Sequence, residues 1–269
     1  MKDVADFYES YDEDNRLSKD NARKIEFTMT VNLLNQYIKP KDKILELGAG
    51  TGAYSFYYAR KGNSVEALDL TPKHIKIINE KISKEKGKIN IRASLGDASN
   101  LQDFKDESFD AVNCLGPMYH IQAEEKRIQC INEALRVLKP KGILAISYIN
   151  KHFIIQSTMA NQREFFTDSF LNKILTLGVD KCGSDDCFFP IAFFTAPEEI
   201  QAFISKFPLE IIDHAAIDGT TALLRSHINE LNEAQYATWI NYCLKTCRDK
   251  NILGLSNHGM IICRKKSAF

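Results

Sequence analysis

Two hydrophobic periods alternate along residues 43–150 and predict strands separated by helices. Short apolar runs of the kind found in buried strands occur five times, at 43–48, 64–70, 89–95, 109–115 and 143–149. Between these runs, apolar residues recur every three or four positions, as Ile75, Ile78 and Ile82 do, which indicates amphipathic helices. The alternation favours a parallel sheet covered by helices on both faces.

The segment before the first strand is predicted to contain a helix. Ile25, Met29 and Leu33 recur every four residues and would form one stripe of a helix that begins near Asn21. Ser18 is the candidate N-cap, because its hydroxyl can accept a hydrogen bond from the first turn.

The regular alternation pauses after residue 150. Residues 153–193 contain two candidate helical pieces, while 209–217 and 259–264 are typical of two further strands. Counted with the first five, these predict an α/β fold with a seven-stranded, mostly parallel sheet. The intervening segments, 151–193 and 219–256, are predicted to form a helical lid on this core.

Two capping boxes mark predicted helix starts in the second half of the chain. The sequences at 195–198 (TAPE) and 232–235 (NEAQ) each place a capping side chain three residues before Glu or Gln. This spacing lets the two residues satisfy each other's free backbone N–H groups, which predicts a helix directly after each box.

Composition and charge limit the class of protein. The 269 residues are 44% hydrophobic and 26% charged, which is ordinary for a globular chain with a packed core. Lys plus Arg and Asp plus Glu both number 35, so the formal net charge is zero. Nucleic-acid binding is therefore disfavoured, since it usually brings a basic excess, although a local basic patch stays open.

The cysteines and the hydropathy favour a cytoplasmic protein. The start is acidic and aromatic, without the apolar stretch of a signal peptide, and no run of about 18 apolar residues predicts a membrane span. The cysteine count of seven is odd, which favours free thiols in a reducing compartment. The pairs Cys182/Cys187 and Cys243/Cys247 suggest zinc, but no histidine completes a ligand set, so we predict ordinary thiols and no metal.

A glycine-rich turn follows the first strand and predicts a ligand site. Residues 43–52 read KILELGAGTG, so Gly48, Gly50 and Gly52 lie at the carboxyl end of a parallel strand. Their G-x-G-x-G spacing is one residue shorter than the dinucleotide fingerprint, which seats a pyrophosphate on a helix amino terminus. S-adenosylmethionine (SAM) has no phosphate, and the shorter turn favours it over NAD.

Carboxylates follow the next two strands. Asp69 ends the second strand, where an acidic residue can accept hydrogen bonds from both ribose hydroxyls. Asp97 follows the third strand, where it can accept from an adenine amino group. Either residue alone is also explained as a helix cap, but three such features at successive strand ends favour a nucleoside-containing cofactor.

Several segments resemble class I SAM-dependent methyltransferases, a Rossmann-like family. They are ELGAGTG (46–52), ALDLT (67–71), GDASNL (96–101), SFDAVNCLGPMYHI (108–121) and EALRVLKPKGILAISY (133–148). The resemblance covers about residues 40–150 well and the remainder only in outline. The LGPMYHI segment followed by RVLKPKG is similar to a bacterial group of small-molecule-type enzymes.

The resemblance implies a cofactor site for SAM, which becomes S-adenosylhomocysteine on methyl transfer. The implied contacts surround methionine (Gly48, Ala49, Gly50, Gly52), ribose (Asp69, Leu70), adenine (Asp97, Ala98) and the sulfonium (Leu115, Gly116). Residues 11–16 (YDEDNR) resemble a segment that closes over SAM, which makes Tyr11 and Arg16 candidate contacts. Arg16 could pair with the methionine carboxylate, or the segment is only a surface arm.

His120 is the candidate general base. It follows the fourth strand, and its near-neutral intrinsic pKa suits proton removal from an acceptor that carries a proton. The alternatives are that His120 caps the next helix or contacts SAM, and that the neighbouring Tyr119 is a pocket wall. Methyl transfer itself depends mainly on aligning donor and acceptor.

The fourth-strand end disfavours methylation of nucleic-acid bases. Residues 113–117 read NCLGP and lack the D/N-P-P-Y/F box of enzymes that methylate exocyclic amino groups. Cys114 is not preceded by proline, unlike the nucleophile of enzymes that methylate cytosine carbon. Aromatic residues between 153 and 194 could wall a hydrophobic acceptor pocket or form the core of the lid.

We therefore predict a SAM-dependent methyltransferase that acts on O, N or S of a small molecule. The alternatives left open are an RNA or protein methyltransferase and a non-catalytic SAM-binding protein. The predicted divisions are an arm and helix closing over the cofactor (1–42), a SAM-binding core (43–150), a helical lid (151–194) and the rest of the sheet (195–269) with an inserted helix at about 219–256.

Overall fold

A mixed, mostly parallel sheet forms the centre of the computed structural model, which describes residues 2–179 and 191–267. Its strands are β1 (Lys43–Leu47), β2 (Ser64–Asp69), β3 (Asn90–Leu95), β4 (Phe109–Cys114), β5 (Leu138–Asn150), β6 (Phe194–Thr195), β7 (Leu209–Ala216) and β8 (His258–Lys265). The order is β3-β2-β1-β4-β5-β8-β7, with the two-residue β6 on β5. Only β8 runs antiparallel to its neighbours, so the predicted α/β class is confirmed.

Helices cover both faces of this sheet. They are α1 (Lys2–Ser10), α2 (Asn21–Leu34), α3 (Ala53–Arg60), α4 (Pro72–Lys84), α5 (Glu124–Val137), α6 (Lys151–Asn161), α7 (Asp168–Leu177), α8 (Pro197–Ile204), α9 (Arg225–Asn229), α10 (Glu233–Thr246) and α11 (Lys250–Leu255). On one face, Ile25 of α2, Tyr58 of α3 and Ile78 of α4 are buried. On the other face, Ile131 of α5 and Ile204 of α8 are buried.

Helix starts were predicted within one or two residues, but the capping side chains differ in two cases. Asp20, rather than Ser18, caps α2 by accepting a 2.8 Å hydrogen bond from the backbone N–H of Arg23. Before α8 only half of the predicted box is present and it is shifted by one residue: Glu199 accepts from the N–H of Ala196, but Ala196 has no side chain that could cap the helix. The box at 232–235 is confirmed by two reciprocal 3.0 Å hydrogen bonds.

The carboxy-terminal insertion differs from the prediction. Residues 219–256 hold three helices, α9, α10 and α11, instead of one. Their buried residues Ile228, Cys243 and Leu253 belong to the same hydrophobic cluster as α2 and one face of the sheet. The segment therefore extends the main core, and its role as a lid stays a prediction.

The segment after β5 forms a small core of its own. Phe153 of α6, Phe170 and Ile174 of α7, and Phe194 of β6 are all buried in one cluster. These phenylalanines are packing residues, which was one of the two predicted roles for the aromatics of this region. Phe188, Phe189, Cys182 and Cys187 lie outside the described residues.

Substitution of Gly259 by alanine is expected to destabilise the fold. A Cβ at this position would overlap the ring of Tyr148, which is 2% exposed and held by a 2.9 Å hydrogen bond to His214. Overpacking of this kind costs about 1–3 kcal/mol. Thermal denaturation should show a midpoint lower by several degrees, on the scale of roughly 2–4 °C per kcal/mol.

The matched control is Gly254→Ala. A Cβ there meets no atom within 4 Å, and alanine is favoured over glycine inside a helix such as α11. The control should unfold at or above the wild-type temperature. Equal midpoints for the two variants would show that the close approach of Tyr148 is not a constraint.

Candidate active site

A cavity of about 370 Å³ lies at the carboxyl ends of the central strands. The glycine turn after β1 and the segments after β2, β3 and β4 line one end of it. The amino-terminal residues between Val4 and Arg23 cover it, and Ile149, Ile217 and His258 line it from the region of β5, β7 and β8. The cavity is therefore where a parallel α/β sheet presents its loops to a ligand.

The glycine turn needs glycine for two reasons: its backbone has positive φ angles, and other segments pack closely against it. Gly48 has a φ of +67°, and a Cβ there would lie 2.8 Å from Cδ of Pro117. Gly50 has a φ of +56°, and a Cβ there would lie 3.3 Å from Cγ of Glu13 in the arm. Both positions favour glycine by conformation, and both bring another segment against bare backbone.

Asp69 holds the glycine turn directly. Its Oδ2 accepts a 2.7 Å hydrogen bond from the N–H of Gly50, and its Oδ1 accepts one of 2.8 Å from the N–H of Thr71. Nδ1 of His74 lies 3.0 Å from the same Oδ1. Asp69 therefore fixes the geometry of the turn and borders the cavity at the same time.

Most of the predicted cofactor residues meet at this cavity. Those that line it are Tyr11, Arg16, Gly48, Ala49, Gly50, Asp69, Leu70, Ala98, Leu115 and Gly116. Gly52 and Asp97 do not line it. Gly52 precedes α3 and faces Phe56, while Asp97 accepts hydrogen bonds from the backbone and hydroxyl of Ser99.

Arg16 is half-buried and belongs to an ion-pair network in the cavity wall. Its guanidinium donates to both carboxylate oxygens of Glu26 at 2.6 and 3.0 Å, and its Nε donates to Glu13 at 2.8 Å. Burial alone would raise the pKa of Glu26, but the positive charges of Arg16 and His258 outweigh it and lower the pKa to about 2. The other oxygen of Glu13, Oε2, is buried without a hydrogen-bond partner in the described chain.

The arm is tied to the core at further points. Lys73 of α4 donates to the carbonyls of Glu9 and Tyr11 at 2.8 and 3.1 Å. Lys81 of α4 pairs with Asp14. The arm in this structure is therefore a closed cover over the cavity, in agreement with its predicted position.

Glu46 is a buried acid beneath the glycine turn. It is 2% exposed, and the hydroxyl of Ser55 donates to its Oε2. Burial raises its pKa to about 8, an effect that this hydrogen bond opposes only in part. The side chain is thus mainly protonated at neutral pH and can donate as well as accept a hydrogen bond.

Both ring nitrogens of the predicted base His120 have partners. Nδ1 lies 3.1 Å from the carbonyl of Ile191, so it carries the hydrogen, and Nε2 lies 3.0 Å from the hydroxyl of Tyr8. Burial lowers the pKa of His120 to about 4. This geometry joins α1 to the segment before β6, and a base role for His120 would require Tyr8 to move.

Sequence reasoning missed a second histidine in the cavity. His258 begins β8 and lies beside Asp218, which follows β7, with 2.8 Å between Nδ1 and Oδ2. The two residues are 40 positions apart and belong to no short motif. Antiparallel pairing of β7 with β8 brings them together, so only the predicted strand ends could have indicated the contact.

The predicted lid does not reach this cavity in the described chain. Its residues line a separate cavity of about 380 Å³, where Arg127 stacks on the ring of Phe193 at 3.6 Å. The prediction that lid aromatics wall the acceptor pocket therefore finds no support among residues 151–179 and 191–194.

Two further observations concern metals and membranes. Within residues 2–179 and 191–267, no group of three or more His, Cys, Asp or Glu side chains is placed to hold a metal ion. Cys243 and Cys247 are buried free thiols. None of the described helices is both long enough and apolar enough to span a bilayer.

A family model and one curated relative support the interpretation of this site. Residues 44–142 match the family described as a methyltransferase domain. Over 114 residues, the chain is 35% identical to erythromycin 3''-O-methyltransferase of Saccharopolyspora erythraea. That match covers 42% of this chain and spans only 36% of the relative's length.

Solved structures share the fold. A SAM-dependent methyltransferase from Methanosarcina mazei aligns with a TM-score of 0.60 and 19% identity, covering 88% of this chain and 98% of that one. Phosphoethanolamine N-methyltransferase 1 of Haemonchus contortus, solved with phosphoethanolamine and S-adenosylhomocysteine, aligns with a TM-score of 0.62 and 13% identity. The second alignment covers 99% of this chain and 48% of that one.

Residues 44–142 match a methyltransferase domain and the solved structures share its fold, which agrees with the resemblance of the sequence to class I SAM-dependent methyltransferases and with SAM as the implied cofactor. The residues present fit that cofactor. The glycine turn offers bare backbone, Asp69 lies at the cavity edge, and the unpartnered Oε2 of Glu13 is buried beside the turn.

Replacement of Asp69 by alanine should weaken SAM binding about tenfold or more. The variant loses the acceptor that fixes the N–H groups of Gly50 and Thr71, and hydrogen bonds to a charged group contribute about 1.5–3 kcal/mol each. Isothermal titration calorimetry with SAM measures the effect. Asp103→Ala, at an exposed site, is the control. Unchanged affinity in the Asp69 variant would refute the assignment of this residue.

Glu46→Gln should stabilise the protein at alkaline pH. The folded-state pKa of Glu46 is about 8 against an ordinary 4.5, so wild-type stability is favoured below pH 4.5 and lost as the pH rises through 8. The glutamine side chain does not ionise, so the variant does not lose stability in this pH range. The difference in thermal midpoint between variant and wild type should therefore grow from pH 6 to pH 9. Glu80→Gln on the exposed face of α4 should show no such trend.

Proposed function

We propose that this chain transfers a methyl group from SAM to O, N or S of a small molecule. The observation that carries the proposal is one continuous cavity, which joins the glycine turn and Asp69 to a second polar end at Glu26 and His258. The end at the glycine turn suits the cofactor, and the end at Glu26 and His258 lies in the same cavity and is open to a methyl acceptor. Such a chamber lets the protein align two reactants, which is the main requirement of methyl transfer.

The dimensions and charge of the chain support a small acceptor. A cavity of about 370 Å³ falls in the range of about 300–1,000 Å³ that is usual for small-molecule sites. The arm covers the cavity, which leaves little room for a folded polymer. The formal net charge of zero also disfavours nucleic acid as partner.

The names of similar proteins point in the same direction. The matched relative is named as an O-methyltransferase acting on erythromycin, and one structural neighbour is named as an N-methyltransferase with phosphoethanolamine bound. Both acceptors are small molecules, although they differ in the atom that is methylated. These names support the substrate class for this chain without selecting the acceptor.

The proposed cofactor contacts are those that the sequence predicted. Gly48, Ala49, Gly50 and Gly52 would surround the methionine part, with Asp69 and Leu70 at the ribose, Asp97 and Ala98 at adenine, Leu115 and Gly116 at the sulfonium, and Tyr11 and Arg16 in the arm. All except Gly52 and Asp97 are supported by their position on the cavity wall. Arg16 already binds two carboxylates, so its pairing with the methionine carboxylate has weaker support.

Two rival functions share the cofactor half. An RNA or protein methyltransferase would need the arm to open and a basic mouth, and a non-catalytic SAM-binding protein would need no acceptor space. The continuous cavity beyond the glycine turn favours an enzyme over a binding protein. The cytoplasmic location predicted from the cysteines also stays a proposal, supported by the free thiols of the five described cysteines.

Incubation with methyl-labelled SAM should label one or a few compounds in a cell metabolite extract. Parallel incubations with total RNA and with denatured cell protein test the rival acceptors, and mass spectrometry identifies the products. The Asp69→Ala variant serves as the negative control. Labelling of RNA alone would reverse the proposed substrate class. Tight SAM binding with no labelled product in any pool would favour the binding protein.

A further inference from the structure

We propose that His258 and Asp218 form a catalytic dyad in which Nε2 of His258 takes the proton of a hydroxyl group on the methyl acceptor. This proposal rests on the proposed function and deepens it, because it names both the base and the acceptor class. The base lies at the start of β8, which is separated in the sheet from β1 and its glycine turn by β4 and β5.

The local fold fixes Asp218 firmly. Its Oδ1 accepts a 2.8 Å hydrogen bond from the backbone N–H of His258 and one of 3.0 Å from the hydroxyl of Ser256. Its Oδ2 accepts from the side chain of Asn257 at 3.2 Å. The N–H of Ile217 donates to the carbonyl of His258, which joins the two segments a second time. Asp218 is 6% exposed, so this carboxylate has little freedom to turn away.

The carboxylate sets the tautomer of His258. Nδ1 lies 2.8 Å from Oδ2 of Asp218, and a carboxylate can only accept, so Nδ1 carries the hydrogen. The amide nitrogen of Asn257, which lies 3.1 Å from Nδ1, then donates to Oδ2 of Asp218 and not to the ring. Nε2 then has a free lone pair. No residue of the described chain forms a hydrogen bond with Nε2, and the side chain lines the cavity. An oriented imidazole with a free nitrogen in a cavity is the arrangement of a general base.

The other buried histidines do not offer this arrangement. His120 uses both nitrogens in hydrogen bonds, and His214 lies outside the cavity between Tyr148 and Gln201. His74 binds Asp69 through Nδ1, and its Nε2 is buried out of reach of solvent. His258 is therefore the histidine whose second nitrogen a ligand in the cavity can approach.

The charges around His258 come from four segments. Asp218 follows β7, Glu26 of α2 places Oε2 4.0 Å from Nδ1, Arg16 of the arm holds Glu26, and the ring of Tyr119 after β4 lies 6.2 Å away. Burial alone would lower the pKa of His258, but the carboxylates of Glu26 and Asp218 outweigh it and raise the pKa above 6.5. They stabilise the imidazolium that forms when the base accepts a proton.

The proposed step is balanced in atoms and charge. Nε2 of His258 accepts the hydroxyl proton while an oxygen lone pair forms the bond to the methyl carbon. The carbon–sulfur bond breaks, and its electron pair stays on sulfur. The products are a methyl ether, S-adenosylhomocysteine and an imidazolium, which loses its proton to solvent when the product leaves. The number of positive charges in the cavity is unchanged.

This charge balance favours a hydroxyl over an ammonium acceptor. An ammonium would bring a second positive charge beside the sulfonium, whereas a hydroxyl enters neutral. The wall near His258 includes the apolar side chains Ile149 and Ile217 together with Tyr119, which suits an uncharged group. A thiolate or carboxylate would need no base, because it has already lost its proton.

The first test measures the tautomer without methyl transfer. Long-range ¹H–¹⁵N NMR of the full chain with S-adenosylhomocysteine should show His258 with hydrogen on Nδ1 and an unprotonated Nε2 above its pKa. His258→Gln identifies the signal, and Asp218→Asn should lower the pKa of His258. Hydrogen on Nε2, or a pKa that Asp218→Asn leaves unchanged, would overturn the dyad even if no acceptor were found.

The second test uses the acceptor that labelled SAM reveals in the metabolite extract. His258→Gln should lower kcat about 100-fold or more, the usual contribution of a general base, with the affinity for SAM within about threefold of wild type. His227→Gln, on the exposed side of α9, is the matched control. The wild-type rate should rise with pH through the pKa of His258, and the variant should lack that rise.

Three outcomes separate this proposal from the proposed function. Imidazole that restores the rate of His258→Gly, with an O-methyl product, supports the base and the acceptor class. A wild-type rate in His258→Gln, or a product methylated on nitrogen, overturns the proposal while leaving methyl transfer in place. If wild type labels no acceptor, the proposed function fails, and the NMR test decides whether the dyad exists.

Discussion

The buried carboxylate of Glu26 is the constraint on which the arrangement of the cavity depends. It binds the guanidinium of Arg16 through both oxygens and lies 4.0 Å from Nδ1 of His258. A buried ion pair of this kind adds little net stability, because desolvation of both charges offsets their attraction, but loss of one partner costs about 3–5 kcal/mol. Its role here is therefore positional. Arg16 supplies the largest positive charge that acts on Glu26, so this ion pair holds the arm across the cavity.

Asp69 provides a similar constraint at the other end of the cavity, and it was predictable. It accepts hydrogen bonds from Gly50 and Thr71, which lie within about 20 residues of it along the chain. Contacts between residues this close along the chain can be recognised from the sequence, because strand, turn and carboxylate follow one another at fixed spacing. The same holds for the strands of the alternating core and for the start of α2. The sequence therefore predicted the fold class and most of the residues that line the cavity around the glycine turn, while their contacts with the cofactor stay a prediction.

The remainder of the site depends on contacts between distant segments. The pair of His258 with Asp218 and the pair of Arg16 with Glu26 leave no local pattern, because each needs two elements to be packed first. Residues 219–256 were misassigned for the same reason: amphipathic helices show that a face is buried but not which surface buries it. His120 shows the opposite situation, in which a local pattern suggested a role and a contact with a distant segment restricts it. Its position after β4 suggested a base, yet the hydroxyl of Tyr8 occupies Nε2.

The distribution of charge in the cavity is compatible with a methyl donor at one end and a base at the other. Carboxyl groups outnumber guanidinium groups along the wall, where Glu13 and Glu26 pair with Arg16 and Asp69 lies beside the glycine turn. Carboxylates at both ends stabilise positive charge wherever it stands: on the methyl donor before transfer and on an imidazole after it. The same reasoning assigns Glu46 a different task, since an acid that is mainly protonated at neutral pH adds a hydrogen-bond donor beneath the glycine turn without adding negative charge.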